Sequence, residues 1–293
     1  MFGSEVKDDA GVRAFLVGLS LVAAGCAHAP SGVPTRKLIV VAAGDVSHPE
    51  IKEQELTARL VESLAPELVL LPGDAQYGEG KIEEFRHAYE PTWGRFKAKT
   101  RPSPGNHEYK SGGHGYFEYF GELAGPAGRG YYSFDLGDWH FVSLNTGTLC
   151  EKGECDEGSE QLKWLEDDLR KTNKKCVIAY WHHPRFNSGK HGPFEKAAPM
   201  WKVLVAHGVE LVINGHEHFY ERFAPVDGIV QLTVGTGGIG FSDFSDTPAP
   251  GSLVRRNDTF GVMKLELTAT TWSAEFVGVP GSQFSDRVSG ECK

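Results

Sequence analysis

Apolar residues gather into short runs that end on turns containing glycine. Leu38 to Ala43 is apolar throughout and stops at Gly44-Asp45. Leu68 to Leu71 repeats the pattern and stops, after Pro72, at Gly73-Asp74. Continuous apolar runs bounded by turn residues predict strands buried on both faces. Between them, Ile51 to Leu64 carries Leu56, Leu60, Val61 and Leu64 at helical spacing, and Pro66 stops it. The opening therefore predicts strand, helix, strand, with an aspartate just past each strand. Open α/β sheets place their ligand sites there.

The pattern continues down the chain. Lys81 to Phe96 reads as a helix around Ile82, Phe85 and Tyr89, interrupted at Pro91. Residues 111–130 are rich in glycine and aromatics and show no period. Tyr131 to Phe134 and Trp139 to Leu144 read as strands around the Leu136-Gly137-Asp138 turn. Ser159 is placed to cap a helix from Glu160 to Lys171, with Leu162, Leu165 and Leu169 on one face. Val177 to Trp181 predicts a strand followed by His182-His183-Pro184. Ala197 to His207 predicts a helix ended by Gly208. Val209 to Ile213 predicts a strand followed by Gly215-His216-Glu217-His218. Gln231 to Val234 and two runs within Gly261 to Val277 are expected to complete a largely antiparallel second half.

Composition adds bounds. The chain has 293 residues, 40% of them hydrophobic and 24% charged, which supports a full core. The motifs run from residue 44 to residue 218 without a linker-like break, so residues 37–293 are read as one α/β domain. A net charge of −9 argues against a nucleic-acid platform. It also repels phosphorylated substrates at long range, so attraction must be local, as bound cations would provide.

Residues 1–26 read as an export signal. The apolar run from Ala14 to Gly25 is too short for a permanent span. Small residues before Cys26 resemble a bacterial lipobox, although Ala23 stands where Leu is commoner. Ala27-His28-Ala29 offers a competing conventional cleavage site. The expectation is an exported protein, in the bacterial periplasm or held to the membrane only through a lipid anchor. Residues 27–36, rich in Pro, Ser and Gly, read as a flexible tether. Without Cys26, four cysteines remain, which allow three pairings. Cys150 and Cys155 bracket a short polar loop and are the favoured pair, against two independent thiols.

Five motifs carry the chemistry: Gly44-Asp45, Gly73-Asp74-Ala75-Gln76-Tyr77, Gly105-Asn106-His107-Glu108, His182-His183-Pro184 and Gly215-His216-Glu217-His218. Each puts oxygen or imidazole donors where a strand gives way to a loop. Asp45, Asp74, Tyr77 and His218 could hold one metal ion, and Asp74, Asn106, His182 and His216 a second. Asp74 alone serves both. On the residues alone His183 could replace His182. Alone, any of these residues reads as a turn, loop or surface residue; the ordered set points to a dinuclear centre. Glu217 reads as an exposed residue, and Gly235 to Gly240 as a tight loop beside the metals. Phe117, Tyr119, Phe120, Tyr131 and Tyr132 read as core, with a substrate cleft as the alternative.

Over residues 38–240 this set resembles the calcineurin-like metallophosphoesterases, and among them the purple acid phosphatases. Tyr77, three residues after Asp74, stands where that branch has an iron-binding tyrosinate. The run from Gly215 to Arg222 is similar to that branch too. Other branches carry a histidine ligand where this chain has Ser47. The resemblance implies a four-layer α/β/β/α sandwich, with His182 rather than His183 as ligand. It implies Fe(III) on the tyrosine side and Fe(II), Zn(II) or Mn(II) on the Asn106 side. A metal-held hydroxide would then cleave phosphate monoesters. His107 is expected to hydrogen-bond the substrate and help the leaving group, with Glu108 orienting it. His191 resembles a second substrate-side histidine. The alternatives are a phosphodiesterase acting on nucleotides or lipid headgroups, and a non-catalytic binding lipoprotein on the same scaffold.

Overall fold

In a computed structural model, residues 37–293 are described, and they fall within one compact unit. The export-signal and tether readings, Cys26 included, lie outside the described residues. The strands in chain order are β1 (Leu38–Ala42), β2 (Leu68–Pro72), β3 (Thr100–Ser103), β4 (Tyr132–Leu136), β5 (Trp139–Ser143), β6 (Cys176–Trp181) and β7 (Leu211–Asn214). They continue as β8 (Tyr220–Phe223), β9 (Val230–Val234), β10 (Ser252–Arg256), β11 (Gly261–Leu267), β12 (Thr271–Gly278) and β13 (Ser285–Glu291).

They make two mixed sheets. One has six strands in the order β13-β12-β11-β1-β2-β3, and the other seven in the order β10-β8-β9-β7-β6-β5-β4. Helices cover the outer faces, so the layers run α/β/β/α. The apolar runs explain the centres. β2, β6 and β7 are buried at every position because both faces are covered. Towards the edge, β12 alternates, burying Trp272, Ala274 and Phe276 and leaving the residues between them partly exposed.

One apolar cluster fills the space between the sheets, with Val40, Leu70, Phe141, Ile178, Leu232 and Phe276 among its members. A second lies beneath the Glu160–Lys171 and Ala198–Ala206 helices, where Leu162, Leu165, Leu169, Met200 and Leu204 meet Val142, Ala179 and Val212. Ser159 caps the first of these helices, its Oγ accepting from Leu162 N at 3.2 Å.

Several expectations are refined. The Pro91 break is real: a short helical stretch ends with a wide turn at Phe85–Tyr89, and a tighter 3₁₀ segment resumes at Trp93–Lys99. Residues 111–130 contain a helix, His114–Phe120. The approach to Asn106 is the strand β3. Val230–Val234 departs from the antiparallel expectation: it pairs parallel with β7 while pairing antiparallel with β8. Disulfides join Cys150 to Cys155 and Cys176 to Cys292. Among the described residues no helix is long and apolar enough to cross a membrane.

Candidate metal centre

Parallel strands deliver the motifs. β1, β2 and β3 run parallel to one another, as do β6 and β7. Asp45 follows β1, Asp74 follows β2, Asn106 follows β3, His182 follows β6 and His216 follows β7. Their carboxyl ends therefore bring residues distant in sequence to one rim.

The backbone turns sharply there. Asp45, Asp74 and His216 have φ of 59°, 50° and 72°, the left-handed region that side chains other than glycine seldom adopt. Gly73 has φ 83°, and a Cβ there would run into the His182 ring. Gly235 to Gly240 closes the rim, with Gly237 N donating to Gly44 O and Ile239 N to Asp45 O.

The donors form two facing groups. In the first, Tyr77 Oη lies 2.5 Å from Asp45 Oδ1 and 2.8 Å from His218 Nε2. In the second, Asn106 Oδ1 lies 3.0 Å from His182 Nε2 and 3.1 Å from His216 Nδ1, and those two nitrogens are 3.2 Å apart. Asp74 joins them, its Oδ2 being 3.2 Å from His182 Nε2. Donor atoms of Asp45, Asp74 and His182 all fall within 4.8 Å of one another. His182 Nδ1 donates to Pro72 O, which leaves Nε2 to face the cluster. His183 is near too, its ring 4.3 Å from that of His216, but its Nδ1 is engaged by Thr146 Oγ1 at 3.0 Å.

Burial sets the electrostatics. It raises the Asp45 carboxyl and pushes the Tyr77 phenol well above its ordinary value. It lowers His216, brings His183 down to about 3 and His218 to about 4. Burial opposes charge on Asp74 and His182 as well. Their mutual attraction outweighs it, holding Asp74 low and His182 up at about 9. Buried carboxylates, a phenol and imidazoles crowded with so little counter-charge are costly unless cations are present. Oxygen-rich donors on the Tyr77 side and nitrogen-rich donors on the Asn106 side suit two ions of different hardness. The residues present fit a dimetal centre.

The remaining candidates line the rim. The His107 ring packs against Tyr77 at a tilt of 39°, with centroids 4.1 Å apart, and its Nδ1 lies 3.0 Å from Gly78 O. Lys110 Nζ is 3.0 Å from its ring nitrogens. His191 is exposed, with its ring 4.9 Å from that of His216.

Two expectations change, those for Glu217 and Glu108, and the core reading of the aromatic residues holds. Glu217 is wholly buried rather than exposed, because residues 187–192 cover it and it accepts hydrogen bonds from Asn187 and His191. Glu108 does not orient His107. Its carboxylate accepts from the amides of Gly105, Asp74 and Gln76, fastening two of the motif loops together. Tyr119, Phe120, Tyr131 and Tyr132 are buried, and Phe117 packs against the core. Ser47 is buried and bonds Gln76 Oε1 at 2.6 Å, tying the first motif to the second.

The chain is similar to known purple acid phosphatases. Purple acid phosphatase 18 of Arabidopsis thaliana is 31% identical over 232 residues, covering 69% of this chain and 51% of that protein. Purple acid phosphatase 23 of the same plant is 30% identical over 250 residues, covering 69% and 54%. The chain spans about half the length of the curated relatives it matches. Among solved structures, purple acid phosphatase PPD1 from yellow lupin seeds superposes with a TM-score of 0.66 at 19% identity, covering 87% of this chain and 54% of that one. GAP50, the anchor in the inner membrane complex of Plasmodium, gives 0.69 at 16% identity, covering 88% and 89%. Those two share the fold. The family model for calcineurin-like phosphoesterases matches residues 38–220, and the chain belongs to that family.

Proposed function

We propose that this chain hydrolyses phosphate monoesters at a dimetal centre of the purple acid phosphatase kind. The observation that carries the proposal is the pair of facing donor groups, Asp45–Tyr77–His218 and Asn106–His182–His216, with Asp74 between them. The fold alone would not carry it, since a structural neighbour is described as an anchor. The complete donor set supports catalysis over a scaffold that only binds.

Bound at these residues, Fe(III) beside Tyr77 and a divalent ion beside Asn106 would polarise the phosphoryl group and supply the nucleophile at ordinary pH. The chain's own residues then bind and orient. His107, held by Gly78 O and packed against Tyr77, would hydrogen-bond the ester oxygen. His191, beside His216, is placed to hold a phosphoryl oxygen from the other side. The left-handed turns at Asp45, Asp74 and His216 fix the donors before substrate arrives.

Export fits the same picture. Two disulfides among the described residues suit an oxidising compartment, and Cys26 would carry the lipid that holds the enzyme to the membrane.

The test is turnover of an aryl phosphate monoester beside a diaryl phosphate, on protein whose metal content has been measured. Faster monoester cleavage is expected. Faster diester cleavage would make the enzyme a phosphodiesterase, and no turnover with two metals bound would leave a binding scaffold.

A further inference from the structure

His191 presents a puzzle: its side chain is 63% exposed, yet its ring is held against the metal rim. The hold comes from below. Glu217 Oε1 accepts from His191 Nδ1 at 3.0 Å and from Asn187 Nδ2 at 2.5 Å. Asn187 also fixes its own loop, its Nδ2 donating to Gly192 O and its Oδ1 accepting from Gly189 N. Four residues on, Glu221 Oε2 accepts from Ser188 N at 2.9 Å. Both glutamates are fully buried. Gly215 to Phe219 is a tight turn, Glu217 N donating to Gly215 O and Phe219 N to Glu217 O. It sends the Glu217 carboxylate to the 187–192 loop while His216 and His218 face the donor groups, and Glu221, in β8, bonds the same loop.

A second segment clamps the loop from the other side. Ser245 N donates to Ser188 O, Ser245 Oγ to Gly189 O, and Ala249 N to Ser188 Oγ. Ser242 N donates to His218 O, so the same segment touches the turn that carries His216 and His218. The loop is thus tied to the residues beside His216 and His218 along its length. Glu217 Oε2 has no hydrogen-bond partner among the described residues. A purely structural pin would be expected to satisfy both carboxylate oxygens.

We propose that Glu217, supported by Glu221, is a positioning residue that sets the orientation of His191 toward the substrate. The proposal rests on the phosphatase reading for its kinetic consequence, though not for its geometry. An exposed imidazole on a loop samples several rotamers, and a buried carboxylate selects one of them. The segment Gly215 to Glu221 then serves two purposes: its histidines face the metals, and its glutamates aim the histidine opposite.

The test combines kinetics with spectroscopy. Glu217→Leu should keep its metal content and lose roughly tenfold to a hundredfold in kcat/KM on an aryl phosphate. Glu217→Gln, whose amide oxygen can still accept from His191 and Asn187, should recover most of that loss. In a His191→Ala background neither substitution should cost anything further. An additive loss there, or loss of a metal equivalent in Glu217→Gln, would overturn the proposal, the latter making Glu217 a ligand. Imidazole nitrogen spectra of zinc-loaded, histidine-labelled wild-type protein supply an arm independent of turnover and of any variant's folding. His191 should show a hydrogen-bonded Nδ1–H in a single ring orientation. An averaged ring, or an unprotonated Nδ1, overturns the positioning role. An inactive wild-type protein with an ordered His191 would instead count against the phosphatase reading alone.

Discussion

Tyr77 and Asp45, 32 residues apart in sequence, meet with the phenol oxygen 2.5 Å from Asp45 Oδ1. The contact joins the loop after β2 to the loop after β1. His218 Nε2 completes the group 2.8 Å from the same phenol oxygen. Burial holds this phenol neutral, and the nearby carboxylates of Asp45 and Asp74 add to the effect. Only a cation at that point would draw off its proton.

Colour follows from that. A tyrosinate on Fe(III) absorbs visible light through ligand-to-metal charge transfer. Protein with stoichiometric Fe(III), verified by elemental analysis, should be purple or pink. Tyr77→Phe should bleach it and weaken iron retention while keeping the fold, because the ring still packs against His107. A colourless sample with full Fe(III) would remove Tyr77 from the ligand set.

Metal stoichiometry separates the two groups. Asp74 lies between them, with its Oδ2 3.2 Å from His182 Nε2. Asn106 Oδ1 bonds His182 and His216 of the second group. Asp74→Ala should therefore lose most of both metals, and Asn106→Ala mainly one. Two metals retained in Asp74→Ala would end the bridging assignment.

His107 is predicted to act on substrate without holding metal. It bonds Gly78 O and packs against Tyr77, outside both donor groups. His107→Ala should keep both metals and lose on the order of a hundredfold in turnover. The loss should shrink as the leaving group improves. An equal loss for every leaving group would restrict His107 to positioning.

The residues that read clearly in sequence share one circumstance. Asp45, Asp74, His182 and His216 each follow an apolar run, so hydrophobic pattern and chemistry marked the same place. β13 escaped notice because Ser285 to Glu291 has no apolar run. Pairing with β12 and the bonds from Tyr220 and Arg222 to Asp286 hold it, and none of these is local in sequence. Glu217 carries no local sign of its burial for a related reason. Its burial depends on a loop 26 residues away from it at His191, and no local pattern announces that cover. The available signal was the presence of two acidic residues, Glu217 and Glu221, within the same motif run as His216 and His218. Glu108 likewise binds amides contributed by two separate loops.

Export is tested by lipid labelling. Cys26 after a short apolar run motivates the tether. In a bacterial host, wild-type protein should incorporate labelled fatty acid and stay with membranes. Cys26→Ser should lose the label and be released. Absence of label on wild-type protein would end the lipid-anchor reading.

Stability should depend on pH through His140, away from the metals. Its Nδ1 lies 2.7 Å from Asp135 Oδ1 and its Nε2 2.9 Å from Asp168 Oδ2. Two carboxylates on two ring nitrogens favour the doubly protonated ring. Burial opposes that charge, but Asp168 and Asp135 outweigh it, so His140 is raised above its ordinary 6.5. A raised value means the folded state holds the proton more tightly than the unfolded chain. The stabilisation is therefore complete below about pH 6.5 and fades as pH climbs through the higher folded value. Asp135 is 49% exposed and screened by solvent, so most of the gain comes from Asp168, which is 18% exposed. The contact ties β4, β5 and the Glu160–Lys171 helix together. His140→Gln should lower unfolding free energy by about 1 kcal/mol near pH 6. The gap from wild type should close toward pH 9. Denaturant unfolding of both proteins across that range measures it. A gap that stays constant or widens with rising pH would mean that His140 is held neutral in the fold.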